Sequence, residues 1–340
     1  MLMARQKTGG YIDAEAYRQL RAQVSTRKAD LLEVCCPGCQ GALIFKNGQQ
    51  KIPHFAHRQQ QDCQLFSEGE TAEHLAGKRF LQRILPAEAQ MEAYLPHLQQ
   101  RPDLLWQRLA VEFQCSSLSQ ARFQERTTNY QAHGYQPWWL LGKQFLPFDN
   151  RSRWSSLTRS CVQESPQGLE LWGVLAQEEE LLYFYALDWH YRFGSSYQIQ
   201  SLKPQDCLFT GLFRLGSRGE SQSNPWQISE YKWYLQRGLA SQSKRLLHLQ
   251  GLCYQKRGNL LDLPDWCYLP GQHQFLLEQE LLLLRFLTQT KGGATWEQWH
   301  EEVDQLISWP YPLVDKKTVL RQVYQESRRL AEEQDKLCET

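Results

Sequence analysis

No apolar run in this 340-residue chain approaches the ~18–20 residues that a membrane span needs. The richest leucine stretch, residues 275–287, is interrupted by Glu278, Glu280 and Arg285. The first ten residues (MLMARQKTGG) hold no apolar core, so no secretory signal is expected and a cytoplasmic setting is the working expectation. Charge of one sign is missing too. Lys and Arg number 38 against 37 Asp and Glu, a formal charge of +1. That balance excludes a global basic field, so any anion-binding surface must be a local patch. No internal repeat of fixed period is visible, and the abundant glutamines are interleaved with apolar residues, which argues against low complexity. What remains is 41% hydrophobic and 12% aromatic, an ordinary globular balance, long enough for two or three compact units.

Ten cysteines in a chain without a visible export signal are expected to be reduced, with metal binding the exception to look for. Most are scattered singly, but Cys35, Cys36, Cys39 and Cys63 crowd into one segment with His54 and His57. Cys36-Pro37-Gly38-Cys39 reads as a knuckle, because Pro and Gly bend the backbone so that two thiolates face one ion. Residues 42–46 and 49–53 around Asn47-Gly48 carry a hairpin signal that returns the chain to His54-Phe55-Ala56-His57, with Cys63 six residues on. The pattern predicts a structural zinc site of Cys36, Cys39, His57 and Cys63. His54 is the reserve ligand, and Cys35 is expected to point away. A full Cys/His shell leaves no open position for chemistry.

Downstream, the pattern predicts an α+β multi-domain chain in four segments. A zinc-knuckle hairpin with a short helix at 14–24 occupies 1–64, and an αβββαβ core follows over 65–150. A strand-rich extension covers 151–220, where Leu169–Leu175 and Leu181–Leu187 flank Glu178-Glu179-Glu180 like a hairpin. A helical region occupies 221–340 after the linker-like Ser221–Pro225, with helices expected near 228–239, 244–255, 274–289, 296–307 and 316–333. That region shows no acid/base cluster, so partner contacts rather than chemistry are expected of it. The aromatics at 183–185, 189–191, 226 and 233–234 are expected mainly in the core, with stacking on single-stranded bases the alternative reading.

The core segment carries the chemistry. On a helix starting near Glu70, positions 70, 74, 77, 78, 81, 84 and 85 share one stripe. Its second half is apolar, but its first half sets Glu70, His74 and Lys78 where core residues belong. Buried charges are costly unless paired or metal-bound, so a site at one end of a helix lying on a sheet is expected. Three strands follow, at 90–95, from 101 to 106, and at 109–115. In the third, Val111, Phe113 and Cys115 alternate with Ala110, Glu112 and Gln114. A helix at 117–132 and a continuous apolar strand at 136–141 complete the order. On the second helix Arg122, Arg126 and Tyr130 recur every fourth residue, which suits phosphate contacts.

These motifs resemble the PD-(D/E)XK restriction-endonuclease-like core and, more closely, the competence protein CoiA-like family. The likeness runs over residues 30–145. It rests on the Cys-Pro-Gly-Cys knuckle, His54–His57, the Glu70–Lys78 helix, Arg101-Pro102-Asp103, Val111–Ser116 and Arg126–Tyr130. The resemblance implies that Glu70 is the helix acid, Asp103 the second-strand aspartate, and Glu112 with Gln114 the (D/E)X(K/Q) pair. Gln114 stands where lysine is usual in the wider nuclease group. Asp103 and Glu112 would then hold Mg²⁺ or Mn²⁺, while Lys78 supplies the missing positive charge and His74 bonds Glu70 or a phosphate. Three functions are open: a metal-dependent DNA nuclease of natural transformation and recombination; a non-cutting accessory that assists a recombinase or other competence proteins on incoming single-stranded or branched DNA; and a zinc-stabilised scaffold without DNA contact.

Overall fold

The computed structural model describes residues 1–23, 33–49, 51–58, 71–148, 154–203, 225–289 and 295–338, and the chain is mixed α/β throughout. It divides into two compact units. The first combines 1–146, 171–183 and 200–215; the second combines 147–170, 184–199 and 216–340.

Strand β1 (Met3–Gln6) pairs with β2 (Tyr11–Asp13) and β3 (Val34–Cys35), and α1 (Ala14–Gln23) follows β2. Strands β4 (Leu43–Lys46) and β5 (His54–His57) form a two-stranded ladder with Phe45 opposite Phe55. The returning strand therefore lies at 54–57 and not at 49–53 as the Asn47-Gly48 signal predicts. Burial explains the shift. Phe55 is fully buried against Tyr17 and Phe45, at ring separations of 5.2 and 5.8 Å, and apolar burial sets register more strongly than a turn dipeptide does. Met1, Leu2, Ala14, Tyr17, Cys36 and Phe55 share one apolar cluster with Leu75 and Met91 of the following segment, so the knuckle region does not have a core of its own.

That segment runs α2 (Ala72–Ile84), β6 (Gln90–Met91), β7 (Leu104–Trp106), β8 (Leu109–Gln114), α3 (Gln120–Ala132) and β9 (Gln136–Gly142), the helix–strand–strand–strand–helix–strand order that the sequence predicts. Strands β6, β7 and β8 are antiparallel, whereas β8 and β9 run parallel across α3. Every residue of β8 is buried, because α2 covers one face and α3 the other. Gly77 of α2 lies against the Phe113 ring so closely that a methyl group in its place would sit 2.2 Å from a ring carbon. On the opposite face, the Trp139 indole donates to Thr127 of α3 at 3.1 Å, and its ring lies 4.3 Å from that of Phe123. The first strand is shorter than predicted, because Glu92 takes a left-handed backbone with φ of 53°.

Strand β9 also pairs in parallel with β11 (Gly168–Leu175), and β10 (Gln163–Ser165) pairs antiparallel with β11. Strands β12 (Glu180–His190) and β13 (Gly194–Leu202) are hydrogen-bonded neighbours. The helices of the second unit are α4 (Ser156–Ser160), α5 (Ile228–Ala240), α6 (Lys244–Gln255), α7 (Gln274–Leu277), α8 (Glu280–Gln289), α9 (Trp296–Leu306) and α10 (Lys316–Cys338). The single helix predicted over 274–289 is two, broken at Glu278 (φ 48°). That carboxylate is buried between Arg159, at 2.9 Å, and Arg245. Two ion pairs hold the break in place, and helical periodicity alone cannot reveal it. Among the described residues, no helix is long and apolar enough to cross a membrane.

Candidate active site and metal centre

The ladder between β7 and β8 builds the site. Asp103 directly precedes β7, whose first residue Leu104 pairs with Val111, and its charge acts on Glu112 of β8. The Phe113 backbone N–H donates to Oδ2 of Asp103 at 2.9 Å, and His74 on α2 meets the same oxygen at 3.1 Å. Lys78, one helical turn further, is completely buried and lies 3.7 Å from Oδ1 of Asp103. Its closest partner is Glu92, which no sequence signal singles out. Glu92 is buried as well. It accepts from the backbone N–H groups of Leu2 and Met3 at 3.0 and 3.1 Å, and from Arg101 at 3.0 Å. Lys78 thus brings positive charge to Asp103, but as a bridge between two carboxylates. Nothing in the local pattern at 90–95 separates Glu92 from an ordinary strand residue; only its turn toward Lys78 does.

Glu112 faces α3. Arg126 pairs with its Oε1, and the Tyr130 hydroxyl donates to the same oxygen at 2.6 Å. The expectation of a phosphate-facing row at Arg122, Arg126 and Tyr130 therefore needs correction. Tyr130 is fully buried, Arg126 is drawn inward to Glu112, and the exposed Arg122 pairs with Glu125 at 2.8 Å. The four-residue spacing that places these side chains on one helix face is the spacing that aims two of them at the sheet. Gln114 shares the Glu112 face, but its amide N–H groups are turned back to the carbonyl and hydroxyl of Ser116, at 2.7 and 3.1 Å. Glu70 and Cys63 lie outside the described residues.

The electrostatics of the two carboxylates diverge. Burial acts to raise Asp103, but the charges of His74 and Lys78 and the hydrogen bonds from His74 and the Phe113 N–H outweigh it and hold Asp103 well below the usual carboxylate range. Burial also raises Glu112, and there it wins. Arg126 and the Tyr130 hydroxyl oppose it, the Asp103 charge adds to it, and the carboxyl is pushed up to about 7. Close spacing of carboxylates by itself predicts that one of them is raised, but desolvation is the larger cause.

The donor chemistry suits a small hard cation. The hydrogen bonds to the two carboxyls go to Oδ2 of Asp103 and Oε1 of Glu112. Among the described residues no hydrogen bond reaches Oε2 of Glu112, and only Lys78 approaches Oδ1 of Asp103. The buried Glu112 and the largely buried Asp103 supply the carboxylate oxygens that Mg²⁺ prefers. Among the described residues Glu92, Asp103 and Glu112 face Lys78, Arg101 and Arg126.

The knuckle forms a second group. The ligand atoms of Cys36, Cys39 and His57 lie within 4.8 Å of one another, with Cys39 Sγ 3.3 Å from His57 Nε2. Gln40 closes the turn with φ of 58°. Its backbone N–H bonds to the Cys36 carbonyl at 2.9 Å, while the Gly41 N–H donates to Cys39 Sγ at 3.4 Å. Two thiols and an imidazole are a soft donor set that can hold a metal. Burial holds the His57 imidazole below its usual pKa, with help from the N-terminal amine and Arg101, which keeps it in the neutral, ligating form. His54, the reserve ligand, lies outside this group, with Nδ1 2.9 Å from the Ile52 carbonyl, and Cys35 faces the Arg5 carbonyl.

Comparisons with known proteins converge on one family. Residues 70–215 match the model described as "Competence protein CoiA, nuclease-like domain", and residues 19–66 match "Competence protein CoiA, N-terminal domain". Together the two cover more than half of the chain. Competence protein CoiA of Bacillus subtilis (strain 168) is 41% identical over 117 residues, a stretch that covers 32% of this chain and 31% of that protein. The match therefore spans about a third of the curated relative. No solved structure matches the chain.

Proposed function

This chain belongs to the CoiA-like competence family, and from that premise we propose that Asp103 and Glu112 form the divalent-metal centre of a DNA nuclease with a PD-(D/E)XK-like core, processing DNA during natural transformation and recombination in the cytoplasm. The observation that carries this reading is the nearness of two carboxyls, Asp103 on the Phe113 N–H and Glu112 one residue before it, with one held ionised and the other raised to about 7. Two acids with separated pKa values in one site are the arrangement that acid–base and metal chemistry require. A bound Mg²⁺ or Mn²⁺ would polarise a phosphodiester and activate water. The residues themselves have separate tasks. His74 and the Phe113 N–H orient Asp103, Arg126 and Tyr130 orient Glu112, and Lys78 places positive charge beside Asp103 where Gln114 offers none. Glu70 remains the candidate for a third acid.

Cleavage of single-stranded, double-stranded and branched DNA by the full chain tests the proposal. Activity that requires Mg²⁺ or Mn²⁺ and disappears in Asp103→Asn and Glu112→Gln supports it; equal cleavage by parent and variants ends it. The second reading is a nuclease-fold accessory that assists a recombinase on incoming single strands without cutting. Two observations favour it: the Gln114 amide is committed to Ser116, and Arg126 already neutralises Glu112. DNA binding without divalent-dependent cleavage in the same assay selects it. The DNA-free scaffold reading predicts no binding at any salt concentration.

For the knuckle we propose structural zinc, held by Cys36, Cys39 and His57 with Cys63 as fourth ligand. About one zinc per chain is expected by elemental analysis. Cys36→Ser with Cys39→Ser should release it and deprotect the amides of residues 33–58 in hydrogen exchange, because structural zinc is coupled to local folding. An undiminished zinc content in the double variant contradicts the assignment.

A further inference from the structure

The second unit contains a cleft that the proposed nuclease centre does not use. A cavity of about 700 Å³ adjoins one of about 610 Å³, and both are walled by Tyr191, Arg192, Trp233, Tyr234 and Arg237. Trp233 on α5 is 57% exposed, and Phe193, in the turn between β12 and β13, is 52% exposed. Each ring carries a guanidinium: Arg237 lies 4.6 Å from the Trp233 centroid and Arg192 lies 5.6 Å from that of Phe193. The two exposed rings with their guanidinium neighbours make a mixed aromatic and cationic surface.

The charges narrow the ligand. Arg159 and Arg245 are committed to Glu278. Arg192 has only a 4.0 Å approach to the exposed Glu230, and Arg237 has no ion pair among the described residues. Arg159, Arg192, Arg237 and Arg245 stand against Glu230, Glu278 and, paired with Arg245, Glu280, so the positive charge left for an anion is that of Arg192 and Arg237 at the mouth. Gln279 and Trp154 also line the larger cavity and are largely buried.

We infer that this cleft binds single-stranded DNA, with unpaired bases stacked on Trp233 and Phe193 and phosphates against Arg192 and Arg237. Flat rings interleaved with arginine serve a strand whose bases are free to stack; a duplex hides those faces. The inference shares DNA with the proposed nuclease reading but none of its residues, so either can fail alone.

Fluorescence anisotropy of the full chain with a labelled oligothymidylate of about 20 nucleotides tests it. Trp233→Ala should weaken binding about tenfold or more, and Arg192→Ala with Arg237→Ala should also flatten the salt dependence by roughly 0.7 in log–log slope for each phosphate no longer neutralised. Both changes are at exposed side chains, and an unchanged melting temperature verifies that the variants are folded. Binding measured in EDTA should match binding in Mg²⁺, which separates this cleft from the proposed divalent-metal centre. Parent-like affinity in both cleft variants, or no binding by the parent, overturns the proposal. An oligouridylate bound more than tenfold tighter through Trp233 overturns the assignment to DNA.

Discussion

Replacing Lys78 with Met should destabilise the first unit by about 3 kcal/mol or more. The side chain has no solvent exposure, and it joins Glu92 to Asp103 in the interior. Methionine fills similar volume, so the loss is electrostatic rather than a cavity. It leaves two buried carboxylates facing each other across the space of the missing ammonium. Arg101 and the N–H groups of Leu2 and Met3 still hold Glu92, which limits the damage on that side, whereas Asp103 keeps His74 and the Phe113 N–H. Denaturant unfolding followed by near-ultraviolet circular dichroism measures the change. Adding Glu92→Gln to Lys78→Met should recover part of it, because removing both charges costs less than stranding one. A single variant within about 0.5 kcal/mol of the parent, the range of ordinary surface substitutions, would show that this network does not hold the site together.

The second large effect is a pH dependence that Glu112 imposes. Its carboxyl is raised from 4.5 to about 7 in the folded chain. A raised acid favours the protonated fold, so its contribution to stability is fully present below about pH 4.5 and is lost as pH rises through 7. For a shift of this size the loss is on the order of 3 kcal/mol between pH 5 and 8. Buried histidines with lowered pKa values, such as His273, act in the opposite direction. The comparison must therefore be made against Glu112→Gln, which cannot titrate. The difference in stability between parent and variant should change across pH 5–8, with the parent losing ground at higher pH. Asp103, held low, adds nothing in this window. Divalent-ion affinity should run the other way, rising with pH and levelling above about 7, since only the ionised carboxylate binds the cation. A stability difference that stays flat from pH 5 to 8 would place Glu112 as an ordinary ionised carboxylate paired with Arg126.

Local periodicity determined much of this architecture. The core order from α2 to β9 follows from apolar spacing, and so do α1, the strand-rich middle and the helices near 228, 244, 296 and 316. The stripe on α2 showed that Lys78 and His74 face the sheet, and alternation put Glu112 and Gln114 on one face of β8. The knuckle placed Cys36, Cys39 and His57 together. Each of these depends on residues a few positions apart, whose relative directions the backbone sets before any tertiary contact forms.

Only the tertiary structure decided who partners whom. Glu92 became the principal partner of Lys78 through a left-handed backbone position fourteen residues away. Arg126 and Tyr130, polar and helical, turned inward because the Glu112 carboxylate lay under α3. The helix over 274–289 broke at Glu278, where two arginines from distant segments meet one carboxylate. The β4–β5 register followed Phe55 into the core and not the Asn47-Gly48 turn. In each case a buried charge or ring found its counterpart across a long stretch of chain. The penalty for leaving such a group unmatched, several kcal/mol, exceeds the local preferences that a sequence displays.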